Sequence, residues 1–512
     1  MKRLFVALAA VLMSLSLSAQ SRWGDQGNGT YINPILCADY SDPDVIRVGE
    51  KYFMVASDFH FLGMQLLESD DMVNWTLVNQ LYDRFDMPGW DTNSHYSGGS
   101  WAPAIRYHDG RFYVYFCTPD EGLFMTSTTD PYGKWDPLHC VKSIPKWEDP
   151  CPFWDEDGKA YLVRSQHGAG PIIVHRLSDD GRELLDDGFT VYTGPVAEGP
   201  KVHKLNGYYY ISIPEGGVGT GWQTILRSKN IYGPYEKKVV LEQGPTDVNG
   251  CHQGSMVDTP DGRWAFFHFQ QNGSIGRVVH LQPMTWSEDG WPVIGVDIDR
   301  NGIGNPVAVW TKPIAGGNAF APASSDDFSS SSLSYQWQFN HNPVDGAWRV
   351  DPKRHVLQLD ALESSTFRAA RNTVTQKVMG FKSQATVSLD VTEIAEGQRC
   401  GLAAMGHMNM MLGVRRENGR TELYHSDDKT ETAVCQIKKN VVLRIDYDMD
   451  AQQFQFSYSL DGKKFVDAGD PFYLRFGFWK GARTALYSYN VKGAAGRASF
   501  SNFVYVHDGP SK

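Results

Sequence analysis

The fold is decided by residues 147–163, which read WEDPCPFWDEDGKAYLV. An acidic residue beside a proline leads into a short apolar run, then an Asp-Gly pair and a second apolar run. Asp-Gly tolerates the positive φ angles of a tight turn, and both runs are too short for helices. The stretch therefore predicts a β-hairpin with an acid directly before its first strand.

The same pattern occurs at four more places in the chain. The turn glycines of the five predicted hairpins are 61, 48, 49 and 55 residues apart, at Gly49, Gly110, Gly158, Gly207 and Gly262. Repeats of ~40–50 residues built from short strands are typical of a β-propeller, in which each repeat forms one four-stranded blade. The sequence thus predicts an all-β fold with a five-bladed β-propeller.

The first strand of a propeller blade lies nearest the axis, so residues just ahead of the hairpins are expected to converge on one pocket. They are Asp42, Trp101, Asp149, Glu198 and His252. A single acid before a strand is usually a turn residue. Three acids and a histidine in equivalent places favour a functional site.

The chain outside the repeats predicts three further segments. Residues 1–19 carry Lys2 and Arg3 before an apolar run that ends at Ser18-Ala19, the pattern of a secretory signal peptide. We assign 20–312 to the propeller domain and the small-residue stretch 313–325 to a linker. Period-2 alternation from 326 to 512 indicates a β-sandwich. The mature protein is expected to be periplasmic or secreted.

Composition narrows the classes of partner. The 512 residues carry a net charge of −11 and are 41% hydrophobic and 13% aromatic, with no later apolar stretch of membrane-spanning length. The acidic balance disfavours nucleic acid, and we expect no membrane span. Aromatic side chains can stack on the C–H faces of neutral sugars, although most of them fill strands. The sequence does not predict an oligomeric state.

Seven cysteines show no spacing typical of metal ligands. The odd number leaves at least one free thiol. An oxidising compartment allows one or two disulfides, for example between Cys400 and Cys435.

Isolated carboxylates around one axis suit hydrolysis of a glycosidic bond. That reaction needs one carboxylic acid to protonate the leaving oxygen and one carboxylate to activate water or to attack the anomeric carbon. A third acid can hold the two pKa values apart. Calcium binding is the competing use, but calcium favours closely spaced oxygen ligands on one loop.

These residues resemble glycoside hydrolase family 43, in its β-xylosidase and α-L-arabinofuranosidase branch. The resemblance rests on Asn33-Pro34 followed by 41–49, on Trp101-Ala102-Pro103, Glu148-Asp149-Pro150 and Glu198-Gly199-Pro200, and on the His252 segment. It implies a five-bladed propeller with an inverting mechanism and a C-terminal sandwich that can lend an aromatic side chain to the pocket rim.

The resemblance also implies roles for the site residues. Asp42 is the general base, Glu198 the general acid, and Asp149 tunes and orients the acid. Arg277 contacts sugar hydroxyls, and Phe59 and Trp101 wall the pocket. His252 sits on the axis near a structural calcium ion or a water. The chemistry itself requires no cofactor.

The interpretation is an exo-acting hydrolase that releases terminal α-L-arabinofuranose or β-D-xylose from plant hemicellulose oligosaccharides. A sugar-binding propeller without catalysis is the alternative from another class, and an endo-acting arabinanase of the same fold is a second. Isolated acids on three blades favour the enzyme over the binding module. The sequence does not separate arabinose from xylose.

Overall fold

The computed structural model describes residues 21–92 and 95–510, so the predicted signal peptide lies outside the described residues. Within these ranges the protein is almost entirely β-structure, and its one helical element is the 3-10 turn Gly273–Ile275. No helix of the described chain is long and apolar enough to cross a bilayer.

Five antiparallel four-stranded sheets follow one another along the chain. Sheet one consists of Ser41–Val48, Lys51–Ser57, Gln65–Ser69 and Thr76–Gln80. Sheet two consists of Trp101–His108, Arg111–Thr118, Gly122–Thr128 and His139–Ser143. Sheet three consists of Trp147–Trp154, Ala160–Gln166, Ile172–Leu177 and Phe189–Tyr192. Sheet four consists of Lys201–Leu205, Tyr208–Glu215, Trp222–Ser228 and Glu236–Leu241. Sheet five consists of Met256–Asp258, Trp264–Asn272, Gly276–Trp286 and Pro292–Ile294.

All five predicted hairpins are present as the first two strands of these sheets. The turns behave as the residue types require. Asp109 and Gly110 have φ angles of 46° and 77°, and Asn206 and Gly207 have φ angles of 51° and 77°. Two consecutive positive φ values match the right-handed twist of the strands they join.

Neighbouring sheets are joined by polar contacts near their first strands, and sheet five contacts sheet one. The backbone N–H of Val45 in sheet one donates to Ser255 Oγ, which directly precedes sheet five, at 2.7 Å. The N-terminal segment reinforces this contact, because the N–H of Ile35 donates to the carbonyl of Val279 in sheet five at 2.8 Å. A small sheet of Gly24–Asp25, Thr30–Ile32 and Val309–Thr311 lies beside it.

The C-terminal part is a β-sandwich of two eight-stranded sheets. One contains Gln338–Phe339, Leu362–Glu363, Thr373–Lys377, Gln398–Met405, Asn409–Glu417, Arg420–Ser426, Glu431–Gln436 and Arg483–Asn490. The other contains Trp348–Asp351, Val356–Asp360, Lys382–Asp390, Asn440–Asp448, Gln453–Ser459, Val466–Asp467, Phe472–Tyr473 and Arg497–His507. In Lys382–Asp390 the buried residues alternate with more exposed ones, as period-2 patterning predicts.

The sandwich packs firmly on sheet one. One hydrophobic cluster runs through both parts of the protein without interruption. At its polar edge the buried Asp58 accepts from two sandwich cations, Lys377 and Arg483, the latter at 3.4 Å. Removing one partner of such a buried pair leaves an uncompensated charge, so the two parts depend on each other.

The suggested disulfides are absent, because all seven cysteines are free thiols. Cys400 and Cys435 lie on strands of one sandwich sheet that are separated by two intervening strands. Neighbouring strands are ~4.8 Å apart, so three strand spacings exceed the reach of a disulfide.

Candidate active site

One cavity of about 360 Å³ collects every site residue predicted from the sequence. Its lining comes from the first strands of sheets one to three, from the segments just before the first strands of sheets four and five, and from Arg277 on the third strand of sheet five. Loop residues and Trp479 of the sandwich complete it. The seven predicted residues are Asp42, Phe59, Trp101, Asp149, Glu198, His252 and Arg277.

A repeated backbone feature points these side chains into the cavity. A residue with positive φ occurs at or just before the start of the first strand of each sheet, at Asp42 (55°), Ala102 (35°), Asp149 (55°), Gly199 (55°) and Gln253 (45°). In sheets one to three it coincides with a shift in strand register. Such a bulge bends the strand and re-aims the neighbouring side chains, and backbone strain of this kind persists where the surroundings hold it.

The positive-φ position divides the predicted residues into two classes. Asp42 and Asp149 occupy it, whereas Trp101, Glu198 and His252 come one residue earlier. Sheet three has an acid at both positions, since Glu148 precedes Asp149 and also lines the cavity. Glu148 is a site residue that the sequence reasoning missed. Its place before Asp149-Pro150, matching Glu198 before Gly199-Pro200, was the signal for it.

The Asp42 carboxylate is fully engaged by donors. Ser57 Oγ donates to one oxygen at 2.6 Å, and Arg277 Nη1 donates to the other at 3.0 Å. Ser57 Oγ in turn accepts from the backbone N–H of Ala102 at 2.7 Å, which links sheet one to sheet two. Arg277 therefore balances the charge of Asp42 alone and does not pair with the other acids.

Among the described residues, no Lys or Arg side chain forms an ion pair with the other three acids. Carboxyl oxygens of Glu148, Asp149 and Glu198 lie within 4.8 Å of one another, and Asp42 stands outside this group. Burial and the charges of Asp149 and Glu198 raise the pKa of Glu148 to about 9. Burial and the charges of Glu198 and Asp42 raise the pKa of Asp149 to about 7. Like charges this close cannot all ionise, so the acid trio holds a proton at neutral pH.

Hydrogen bonds orient two members of the trio. Asp149 Oδ2 accepts from the backbone N–H of Gly199 at 2.8 Å and from Ser165 Oγ at 3.3 Å. Because Gly199 follows Glu198 directly, Asp149 holds the backbone that carries Glu198. The Glu198 carboxyl also contacts His252 Nε2 at 2.7 Å.

The chain matches the family model described as "Glycosyl hydrolases family 43" over residues 31–292. It also matches the "Beta xylosidase C-terminal Concanavalin A-like domain" over residues 325–506. This chain belongs to glycoside hydrolase family 43. It is therefore a glycosidase, as the resemblance of its motifs implied.

Known proteins are similar to this chain along nearly its whole length. A protein of Xylanibacter ruminicola is 54% identical over 90% of this chain and 86% of its own length. A β-xylosidase of Formosa agariphila is 37% identical over 95% of this chain and 92% of its own. The crystal structure of a family 43 protein from Bacillus licheniformis superposes with a TM-score of 0.82 at 25% identity, covering 93% of this chain and 99% of that one.

Aromatic side chains wall the cavity of this family 43 glycosidase. Phe59 is 3% exposed, and the Trp101 indole donates to the carbonyl of Ser97 at 2.7 Å. The sandwich adds Trp479, which lines the cavity and lies with its ring centre 6.0 Å from the Arg277 guanidinium carbon. Trp479 is thus the sandwich aromatic that reaches the pocket, which the sequence motifs did not identify.

A buried carboxylate ties the sandwich loop to Arg277. Asp39 Oδ1 accepts from the backbone N–H of Arg277 at 2.8 Å, and Oδ2 accepts from the N–H of Gly481 at 2.9 Å. The approach is so close that a Cβ on Gly481 would lie 2.1 Å from the carbonyl oxygen of Ile275. Asp39 and the small residue at 481 therefore set the positions of Arg277 and of the loop that carries Trp479.

His252 offers one ligand atom to an ion. Its Nε2 is engaged with Glu198, and its buried Nδ1 has no partner among the described residues. Calcium takes six to eight oxygen ligands, whereas His252 Nδ1 is a single nitrogen, so His252 by itself is a poor calcium site. The one group in the described chain with metal-ligand spacing is the acid trio, and His252 is not part of it.

Proposed function

We propose that this glycosidase removes terminal α-L-arabinofuranose or β-D-xylose from hemicellulose oligosaccharides with inversion at the anomeric carbon. The observation that carries the proposal is a single cavity with a charge-balanced carboxylate, Asp42, and a separate proton-holding acid trio. The names of relatives support both sugars, since one is a β-xylosidase and another, from Bacteroides ovatus, a non-reducing end α-L-arabinofuranosidase at 28% identity over 73% of this chain.

In the proposed reaction Asp42 is the general base and Glu198 the general acid. Water attacks the anomeric carbon and gives one proton to Asp42, while the bond from that carbon to the leaving oxygen breaks. Glu198 gives its proton to the leaving oxygen, which departs as an alcohol. Charge passes from Asp42 to Glu198, and no covalent sugar intermediate forms.

Asp149 serves the acid through position and charge. Its hydrogen bond to the Gly199 N–H holds the backbone beside Glu198. Burial and the neighbouring charges of Glu198 and Asp42 raise the pKa of Asp149 to about 7, so the trio keeps a proton near neutral pH. Arg277 balances Asp42 and faces the cavity, where it can meet sugar hydroxyls.

Exo action is supported by the walls of the cavity. Phe59 and Trp101 belong to the part of the chain that forms the four-stranded sheets, and Trp479 belongs to the sandwich. A pocket closed on several sides admits a chain end more readily than the middle of a polysaccharide. We assign 20–312 to a five-bladed propeller, 313–325 to a linker and 326–512 to the sandwich. Five four-stranded sheets, the last contacting the first, support that assignment.

Two elements of the proposal concern the surroundings of the enzyme. Removal of residues 1–19 as a signal peptide would place the mature protein in the periplasm or outside the cell, where hemicellulose fragments are met.

A structural calcium ion at His252 Nδ1 would take no part in the chemistry. Raising the melting temperature with calcium after chelation, in the wild type and not in His252→Ala, would support such an ion.

A panel of nitrophenyl glycosides tests the function. We expect release of nitrophenol from the α-L-arabinofuranoside, the β-D-xylopyranoside or both, and little from hexosides. With an unmodified pentose oligosaccharide, the first product should be the free pentose, and NMR should show its inverted anomer before mutarotation. Release of mid-chain oligosaccharides as first products would indicate an endo-acting enzyme. Pentose binding without turnover would indicate a binding module.

A further inference from the structure

Glu148 and Glu198 have fewer hydrogen-bond partners than the other two carboxyls of the site, with one each, and the bond to Glu148 is the longer at 3.3 Å against 2.7 Å. The described chain supplies two donors to Asp42 and two to Asp149. Glu148 receives one, from the backbone N–H of Ala169 to Oε1 at 3.3 Å. No donor of the described residues reaches Oε2. Glu148 lines the cavity, so a ligand there can supply the missing hydrogen bond.

The position of Glu148 selects the ligand group it can meet. Glu148 is a buried residue, whereas Glu198 is only partly buried. Glu148 is therefore less accessible to solvent than the proposed acid. In an exo reaction the leaving group extends from the acid toward solvent, and the terminal sugar fills the interior. Because Glu148 neighbours Glu198 and is less accessible to solvent, we place it beside that terminal sugar.

We infer that Glu148 binds a hydroxyl group of the terminal pentose and so helps to select the sugar. The inference rests on the proposed function, because it places a pentose in the cavity. Ordered sugar hydroxyls bond readily to carboxyl oxygens, and a small number of such polar groups usually fixes the orientation of a ligand in its pocket. Glu148 touches the substrate without taking part in proton transfer.

Two substitutions separate hydrogen bonding from packing. Glu148→Gln keeps the shape and retains an acceptor and a donor at the end of the side chain. Glu148→Met keeps similar bulk but has no comparable hydrogen-bonding group. We expect kcat/KM on the preferred nitrophenyl pentoside to fall by less than about 5-fold in Glu148→Gln and by about 10- to 100-fold in Glu148→Met. Affinity for the free pentose, measured by calorimetry, should fall in the same order.

Deoxy substrates identify the hydroxyl. On the pentoside that lacks the contacted hydroxyl, wild type and Glu148→Met should have similar kcat/KM values, because the interaction is already missing. On the other deoxy pentosides the difference should persist. Glu215 supplies the control, since it is 2% exposed and hydrogen-bonded to Tyr192 and Thr224 but does not line the cavity. Glu215→Gln should leave kcat/KM unchanged.

The outcomes separate the two proposals. Equal losses in Glu148→Gln and Glu148→Met would show that charge, not hydrogen bonding, matters, and would overturn the inference. Undiminished kcat/KM in Glu148→Met, with the wild type active on pentosides, would overturn the inference alone. A wild type that neither hydrolyses nor binds a pentose would remove the proposed function and this inference together. If Glu148→Met does not fold, pentose affinity of Glu148→Gln and of Glu148→Ala decides in its place.

Discussion

The two walls of the cavity treat their carboxyl groups in opposite ways. Asp42 has both oxygens engaged, and Arg277 balances its charge at 3.0 Å. By contrast, Glu148, Asp149 and Glu198 crowd within 4.8 Å, and no Lys or Arg of the described chain forms an ion pair with them. Carboxyl groups of one cavity thus differ in their surroundings, since one is paired with a cation and three are crowded together. Such differences in environment can give carboxyl groups of the same kind different roles.

The largest effect is expected on the Asp42 wall. Asp42→Asn should lower kcat by ~10²–10⁴-fold or more with every leaving group, because water activation is needed in each case. Kinetics on an aryl pentoside and on a natural oligosaccharide would measure it, with the melting temperature as a check on folding. Azide should restore activity and give a glycosyl azide of inverted configuration. Rescue through a covalent sugar-enzyme adduct would contradict the inverting assignment.

On the opposite wall, Glu198→Gln should discriminate between substrates. Protonation of the leaving oxygen is worth ~10²–10⁴-fold, so kcat/KM on natural oligosaccharides should fall by about that factor. An activated nitrophenol needs little protonation, and its loss should be much smaller. Comparison of the two substrate types in the same preparation makes the measurement. Equal losses would mean that Glu198 is not the acid.

The position of Arg277, which pairs with Asp42, also depends on the sandwich loop at Gly481, and Gly481→Ala tests that dependence. The added Cβ would meet backbone atoms, the Ile275 carbonyl oxygen at 2.1 Å among them, so the loop must move away. We expect KM to rise by about 10-fold, with a smaller change in kcat, because Trp479 and Arg277 lose their fixed positions. Gly406→Ala is the control, since its nearest new contact would be 3.4 Å away. An unchanged KM would show that the position of the sandwich loop does not affect substrate binding.

The last expected effect concerns stability and pH at Asp149 and leaves the catalytic comparison unchanged. Its pKa is raised from 3.8 to about 7 in the folded protein, so the folded state keeps a proton that the unfolded state gives up. Stability is therefore unaffected below about pH 4 and decreases as the pH rises toward 7. Asp149→Asn removes this loss, which is on the order of a few kcal/mol.

Calorimetry at several pH values would measure the difference in melting temperature. The variant should match the wild type near pH 4 and exceed it by several degrees above pH 7. A difference that stays constant across this range would show that Asp149 does not hold the proton. The same scan on Ser165→Ala, which alters one hydrogen bond of Asp149 without removing the carboxyl, serves as a control.

Sequence patterns located the local structure well. The five hairpins follow from turn chemistry and short apolar runs, and the alternating strands of the C-terminal part follow from period-2 burial. Five of the seven predicted site residues share one cavity because equivalent positions of a repeat occupy equivalent places in space, and Phe59 and Arg277 join them. Glu148 was missed because the repeat pattern predicts one site residue directly ahead of each hairpin, whereas the strand bulge of sheet three presents two.

The sequence by itself determined the repeats, the turns, the sandwich strands and the five residues ahead of the hairpins, since each depends on neighbours within a few positions. Only the tertiary structure decided which residues contact the site residues. Arg277 lies 235 residues from the Asp42 it balances, and Gly481 lies 442 residues from Asp39. The charge state of each acid and the identity of Trp479 as the sandwich aromatic follow from such contacts. Electrostatic interactions act over a few ångströms of space, and sheet packing, not sequence separation, sets those distances.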